Sequence, residues 1–142
     1  MTRYATEIRS SLPPREAFAY MADFSNARFW DPSVTSARQQ GDAFIGVGVS
    51  FDIVARFARR SVELTYTIVE FEPGQRVVLE ARRGFVSRDT ITVSPDGTGS
   101  LVRYEAVLAF GGLGRLFEPV MRRLFERVGE QAKAGLERAL NP

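Results

Sequence analysis

The chain has 142 residues, 44% of them apolar and 25% charged, with a net charge of +2. That length holds one domain over residues 1–142, and folding at this size buries about 70% of the unfolded surface without a disulfide or metal staple. The absence of cysteine and histidine excludes Ser-His-Asp and Cys-His catalysis, and any zinc site with nitrogen or sulfur ligands.

A calculated pI of 9.4 suggests a nucleic-acid partner, but the charge pattern argues against one. Of the 19 basic residues 18 are arginine, which keeps its proton to very high pH and so lifts the pI. The arginines alternate with glutamates instead of forming the clustered footprint that nucleic acid requires. The densest group, Arg56, Arg59 and Arg60 in RFARR, reads as a solvated hairpin tip. MTRYATEIRSS lacks the apolar run of a signal peptide, and no stretch of about 18 uncharged apolar residues is present. The expectation is a cytoplasmic protein with neither a nucleic-acid partner nor stable membrane insertion. No feature specifies an oligomeric state.

ATEIRSSL (5–12) alternates as a strand and ends at Pro13-Pro14. Proline suits the first turn of a helix, where its missing N–H costs nothing. PREAFAYMA (14–22) carries Ala17, Phe18 and Met21 at helical spacing. Ser25 is placed as the N-cap of a second short helix bearing Arg28 and Phe29, closed by Asp31-Pro32.

Six strands are then expected. VTSARQQ (34–40) is polar enough for an exposed edge. VGVSFDIVARF (47–57) sets Val49, Phe51, Ile53, Ala55 and Phe57 on one face. SVELTYTIVEF (61–71), RVVLEAR (76–82), RDTITVS (88–94) and SLVRYEAVLAF (100–110) follow, with Glu-Pro-Gly and PDGTG turns between. Connections this short predict an antiparallel meander. After GGLG (111–114) comes one long amphipathic helix, its apolar face running from Phe117, Val120, Met121, Leu124 and Phe125 to Leu136 and Ala139. Pro119 places the start of the regular helix there, with 115–118 as a looser lead-in. A bent sheet wrapping one helix leaves a wedge to be filled by side chains or by a ligand.

The order of these elements and several local motifs resemble the START-like helix-grip (SRPBCC) superfamily, in its polyketide cyclase/dehydrase and lipid-transport branch. The resemblance rests on Leu12-Pro13-Pro14-Arg15-Glu16-Ala17-Phe18, on Asp23-Phe24 followed by Trp30-Asp31-Pro32, on TIVEFEPGQRVVLE (67–80) and on Gly111-Gly112-Leu113-Gly114-Arg115. It implies an α+β helix-grip fold: a curved, antiparallel, seven-stranded sheet around the C-terminal helix, enclosing a hydrophobic cavity, with two short helices after the first strand. Members bind lipids, sterols, polyketides, quinones or plant hormones, and some are cyclases or aromatases. The resemblance carries no shared catalytic triad and no metal, and it implies a position for Trp30 near the cavity entrance, packed on its rim, with a place on the rim or pocket wall and plain core packing both left open.

Strand phase nominates the groups able to carry chemistry. If Leu79, Ala81, Ile91 and Val93 point inward, so do Ser87 and Asp89, and Arg83 shares a face from which it can reach Asp89. An Arg83–Asp89 pair is the first expectation, ahead of head-group recognition or catalysis. Tyr66 and Tyr104 lie on apolar faces, each with a hydroxyl needing a partner. The expected cavity lining is Trp30, Phe51, Ile53, Tyr66, Arg83, Asp89, Tyr104, Met121, Leu124 and Phe125. No residue pattern specifies a metal or cofactor: Gly46-Val47-Gly48 opens a strand, not a helix, and GGLGR lacks the Lys-Ser/Thr of a phosphate loop, leaving it as a hinge before the helix. Three functions remain open. These are binding of a lipophilic small molecule, a cyclase or dehydratase using cavity Asp, Tyr and Arg groups, and a protein-interaction module whose wedge is filled.

Overall fold

The computed structural model describes all residues, 1–142. Seven strands form one antiparallel sheet: β1 (Thr2–Ser10), β2 (Val34–Gln39), β3 (Ser50–Phe57), β4 (Arg60–Glu72), β5 (Arg76–Arg82), β6 (Phe85–Asp96) and β7 (Gly99–Phe110). The spatial order is β1-β7-β6-β5-β4-β3-β2. Strands β2 to β7 are thus the expected meander, and β1 closes it by pairing along β7 from Thr2–Leu108 to Ser10–Ser100. The chain passes from one edge of the sheet to the other through α1 (Pro14–Ala22), a 3₁₀ turn over Phe24–Asn26 and α2 (Ala27–Trp30). The polar strand read as an edge, β2, is one.

Local chemistry accounts for most boundaries. Pro14 opens α1, as its lack of an N–H allows. The cap of the next helical segment is Asp23, not Ser25: its Oδ1 accepts from the Ser25 N–H at 3.1 Å and from the Ser25 hydroxyl at 2.5 Å. The structure begins this segment two residues earlier than the sequence suggested, as a 3₁₀ turn that runs into α2. The long helix α3 spans Glu118–Ala139, and Gly112–Phe117 ahead of it is 3₁₀. This is the division Pro119 requires.

Inward-facing side chains from all seven strands meet α1, α2 and the C-terminal half of α3 in one core that includes Ile8, Phe18, Met21, Trp30, Ile91 and Leu136. The end of α3 is tied to the end of β1. The Ser10 hydroxyl donates to the Leu140 carbonyl at 2.6 Å, and the Asn141 side chain bonds the Ser11 N–H and the Arg9 carbonyl. Two glycines bring the helix close. A Cβ at Gly135 would lie 1.9 Å from the Trp30 carbonyl oxygen, and one at Gly129 2.6 Å from the Tyr4 ring.

The N-terminal half of α3 is different. Phe117 and Val120, read from sequence as part of the buried face, are 64% and 62% exposed, and Leu113 and Leu116 before them are exposed too. Met121 and Phe125 instead border an open space between helix and sheet.

Candidate functional site

That space is a cavity of about 350 Å³ between the inner face of the sheet, α2 and α3, with 21 of its 28 lining residues hydrophobic. Its volume lies at the lower end of the roughly 300–1,000 Å³ usual for small-molecule sites. The deep end is formed by Phe24, Trp30, Tyr66, Asp89 and Tyr104, all buried. The outer end is formed by Ala58 and Arg60 of the β3–β4 hairpin, by Phe85 and Phe110, and by Met121. The hairpin tip is tight: Phe57 pairs with Arg60, and Ala58 and Arg59 both take positive φ, +54° and +65°.

Seven of the ten residues expected to line the cavity do so: Trp30, Ile53, Tyr66, Asp89, Tyr104, Met121 and Phe125. Tyr66, Asp89 and Tyr104 face inward because β4, β6 and β7 run without a bulge through these positions. The one shift in β4, between Ile68 and Glu70, comes after Tyr66. Phe51 is fully buried beside Phe24, their ring centroids 6.3 Å apart, and does not reach the cavity. Leu124 falls to one side of the helical stripe 121, 125, 128 and 132 that borders it.

Arg83 is the clear correction. It lies past the end of β5, in the turn to β6, where Gly84 has φ +67°. The alternation that carried Leu79 and Ala81 inward therefore stops before it. Its guanidinium donates to the Glu63 carbonyl at 3.0 Å, and the residue lines a polar furrow on the outer side of the sheet. The expected Arg83–Asp89 pair does not form. Trp30 stands at the deep end of the cavity and not on its rim. It is 2% exposed and meets Phe24 and Tyr104 edge to face, with centroids 6.0 and 5.5 Å away, and its indole N–H has no hydrogen-bond acceptor.

The deep end holds the cavity's polar chemistry. The Tyr104 hydroxyl donates to Asp89 Oδ2 at 2.5 Å, and the Tyr66 and Ser87 hydroxyls bond each other at 2.7 Å. Burial pushes the Asp89 carboxyl up to about 7; the Tyr104 hydrogen bond opposes the rise and nearby Asp31 adds to it. Burial raises both tyrosines well above their usual value, with the Asp89 charge as a further cause. Asp31, also on the cavity wall, is raised by burial, while its hydrogen bonds from the Ser33 N–H and hydroxyl work against that. Sequence reasoning missed Asp31 because its place before Pro32 read only as a helix stop. It also passed over Val62, Leu64 and Leu108, which share the inward phase of Tyr66 and Tyr104. Nowhere do three acidic side chains gather as a metal site would need, and no helix is long and apolar enough to cross a membrane.

The sequence model of the polyketide cyclase/dehydrase and lipid transport family matches residues 1–141. Among curated protein sequences none matches. Similar solved structures include a protein of Thermus thermophilus, with 18% identity, TM-score 0.77, and 98% of this chain and 95% of that one covered. A START superfamily protein from Mycobacterium smegmatis has 11% identity and TM-score 0.77, with 99% and 97% covered. Major latex-like protein 151 from Panax ginseng has 10% identity and TM-score 0.69, again with 99% and 97% covered. At such identities the structural likeness establishes the fold alone.

Proposed function

The chain belongs to the polyketide cyclase/dehydrase and lipid transport family, and on that premise we propose that it binds one lipophilic small molecule, such as a lipid, polyketide or aromatic compound, between sheet and α3. One observation carries this reading: the wedge that the fold leaves is not filled by side chains but is a predominantly apolar cavity of about 350 Å³. Desolvating an apolar ligand there gains about 25 cal/mol per Å² of its surface. The volume suits a few fused rings or a single chain. The exposed apolar lead-in, Leu113, Leu116 and Phe117, follows directly on Phe110 at the outer end. A hinge at Gly111-Gly112, where Gly112 has φ +56°, would let this segment move as a ligand enters.

The test is native mass spectrometry of the purified protein, then solvent extraction and identification of whatever accompanies it. A near-stoichiometric apolar molecule is expected. Protein that purifies empty and then takes up nothing from a panel of lipids and aromatic polyketides would sink the reading and favour an interaction module.

One feature supports a second reading, a cyclase- or dehydratase-like enzyme. A buried carboxyl raised to about 7 is half protonated near neutral pH and is suited to general acid work, as a raised carboxyl pKa generally is. Turnover of a hydroxylated polyketide that disappears in Asp89→Asn, with ligand binding retained, would favour it.

A further inference from the structure

The two ends of the cavity differ in charge. Of its lining residues four are charged: Arg56 and Arg60 toward the outer end, and Asp31 and Asp89 within. No cation faces Asp89 from any side. Tyr104 bonds it from β7, Tyr66 on β4 and Asp31 past the end of α2 stand near enough to interact with it electrostatically, and α3 presents to the cavity only small or apolar side chains such as Gly129 and Ala132. Asp89 itself is 4% exposed. Its Oδ2 is taken by Tyr104, whereas Oδ1 has no protein partner and is not sealed away, so it is the oxygen that borders the cavity.

Resting on the cavity-binding reading above, we propose that this floor selects the ligand's polar end: it takes an apolar molecule carrying an uncharged hydrogen-bond donor, an alcohol or phenol, and rejects one whose buried end is a carboxylate. The physical reason is direct. Asp89 Oδ1 is a free acceptor in a desolvated place, and a hydroxyl satisfies it. Once Asp89 is ionised, two carboxylates brought together where no arginine or lysine stands between them repel strongly, because the surrounding dielectric is low. A carboxylate-bearing amphiphile can meet a cation only by reversing, with its charged group at Arg56 and Arg60. Its apolar end is then left against the unpaired acceptor, which carries its own penalty.

The experiment compares 2-naphthol, naphthalene and 2-naphthoate, which share one apolar body, by calorimetric titration of the wild-type protein and Asp89→Asn at about pH 8.5, above the value of about 7 to which Asp89 is raised, so that its carboxyl is ionised. For the wild type, 2-naphthol is expected to bind about tenfold tighter than naphthalene, the worth of one hydrogen bond of about 1.4 kcal/mol. The carboxylate, which reversed meets the floor only with its apolar end as naphthalene does, is expected to bind at least about tenfold weaker than 2-naphthol. In Asp89→Asn, 2-naphthoate should recover about tenfold or more while naphthalene is unchanged. The indole N–H of Trp30, the chain's only tryptophan, gives a single NMR signal in a side chain that contacts Tyr104, so a shift in it confirms that each probe sits at the floor. A carboxylate that binds as well as the phenol, or an order of affinities unaltered by Asp89→Asn, overturns the proposal. Failure of all three probes, the hydrocarbon included, overturns the cavity-binding reading and this one with it.

Discussion

Replacing Asp89 with asparagine changes how stability depends on pH, by an amount the structure allows to be worked out. The carboxyl ordinarily titrates near 3.8 and in the fold is raised to about 7, chiefly by burial. For an acid raised in this way, the folded chain holds more protons than the unfolded chain between the two values. Stability is therefore highest below the lower value and falls as pH rises through the window, levelling off above it. At about 1.4 kcal/mol per tenfold, the gap sets a ceiling on the order of 4 kcal/mol. From pH 5 upward the remaining loss is about 3 kcal/mol. Asparagine keeps an acceptor for the Tyr104 hydroxyl and cannot ionise, although its amide N–H groups lack partners and cost about 1–3 kcal/mol at every pH. Urea unfolding of both proteins between about pH 5 and pH 8.5 isolates the difference, because the remaining carboxylates are common to both. The wild type should lose about 3 kcal/mol relative to Asp89→Asn across that range, making the variant the less impaired or the more stable protein at the alkaline end. Parallel curves would show that Asp89 is solvated or paired in the native state, and would refute the description of the floor.

Other substitutions test the surrounding frame. Gly135→Ala forces a methyl toward the Trp30 carbonyl at a separation of 1.9 Å, so α3 must lift from α2; a loss of about 3 kcal/mol is expected in denaturant unfolding, and a neutral result would contradict this packing. Arg59→Gly relieves a positive φ of +65° in a two-residue hairpin turn that favours Asn-Gly, and should stabilise by about 1 kcal/mol and raise Tm by about 3 °C. Ala106→Phe places a ring in the cavity from a buried position on β7; because it fills existing space, it should abolish ligand uptake while changing stability by less than about 1.5 kcal/mol in a thermal melt.

Much of the fold was legible because its strands are amphipathic with period two and its turns are short. Pro119 even located the change from 3₁₀ lead-in to α3. The site was legible only where that periodicity continued unbroken. Tyr66, Asp89 and Tyr104 sit within regular strands, so their neighbours fixed their direction. Arg83 sits one residue beyond β5, and at a turn strand phase carries no information. Asp31 and Ser33 reach the cavity through the path of the backbone after α2, and such a path leaves no periodic trace. Phe117 and Val120 show a different limit: an apolar stripe marks the side of a helix that avoids water, but not whether sheet, ligand or an opening lies opposite. Trp30 is large enough to belong to the core, and it does. Its ring is at once core and cavity wall.

The most direct test of the account is titration of the protein with N-phenyl-1-naphthylamine, an uncharged apolar probe, followed through quenching of Trp30 fluorescence. A cavity lined as described predicts saturable quenching at one probe per chain, absent in Ala106→Phe. Quenching that never saturates, or that persists unchanged in Ala106→Phe, would place the probe elsewhere and contradict the cavity as the binding site.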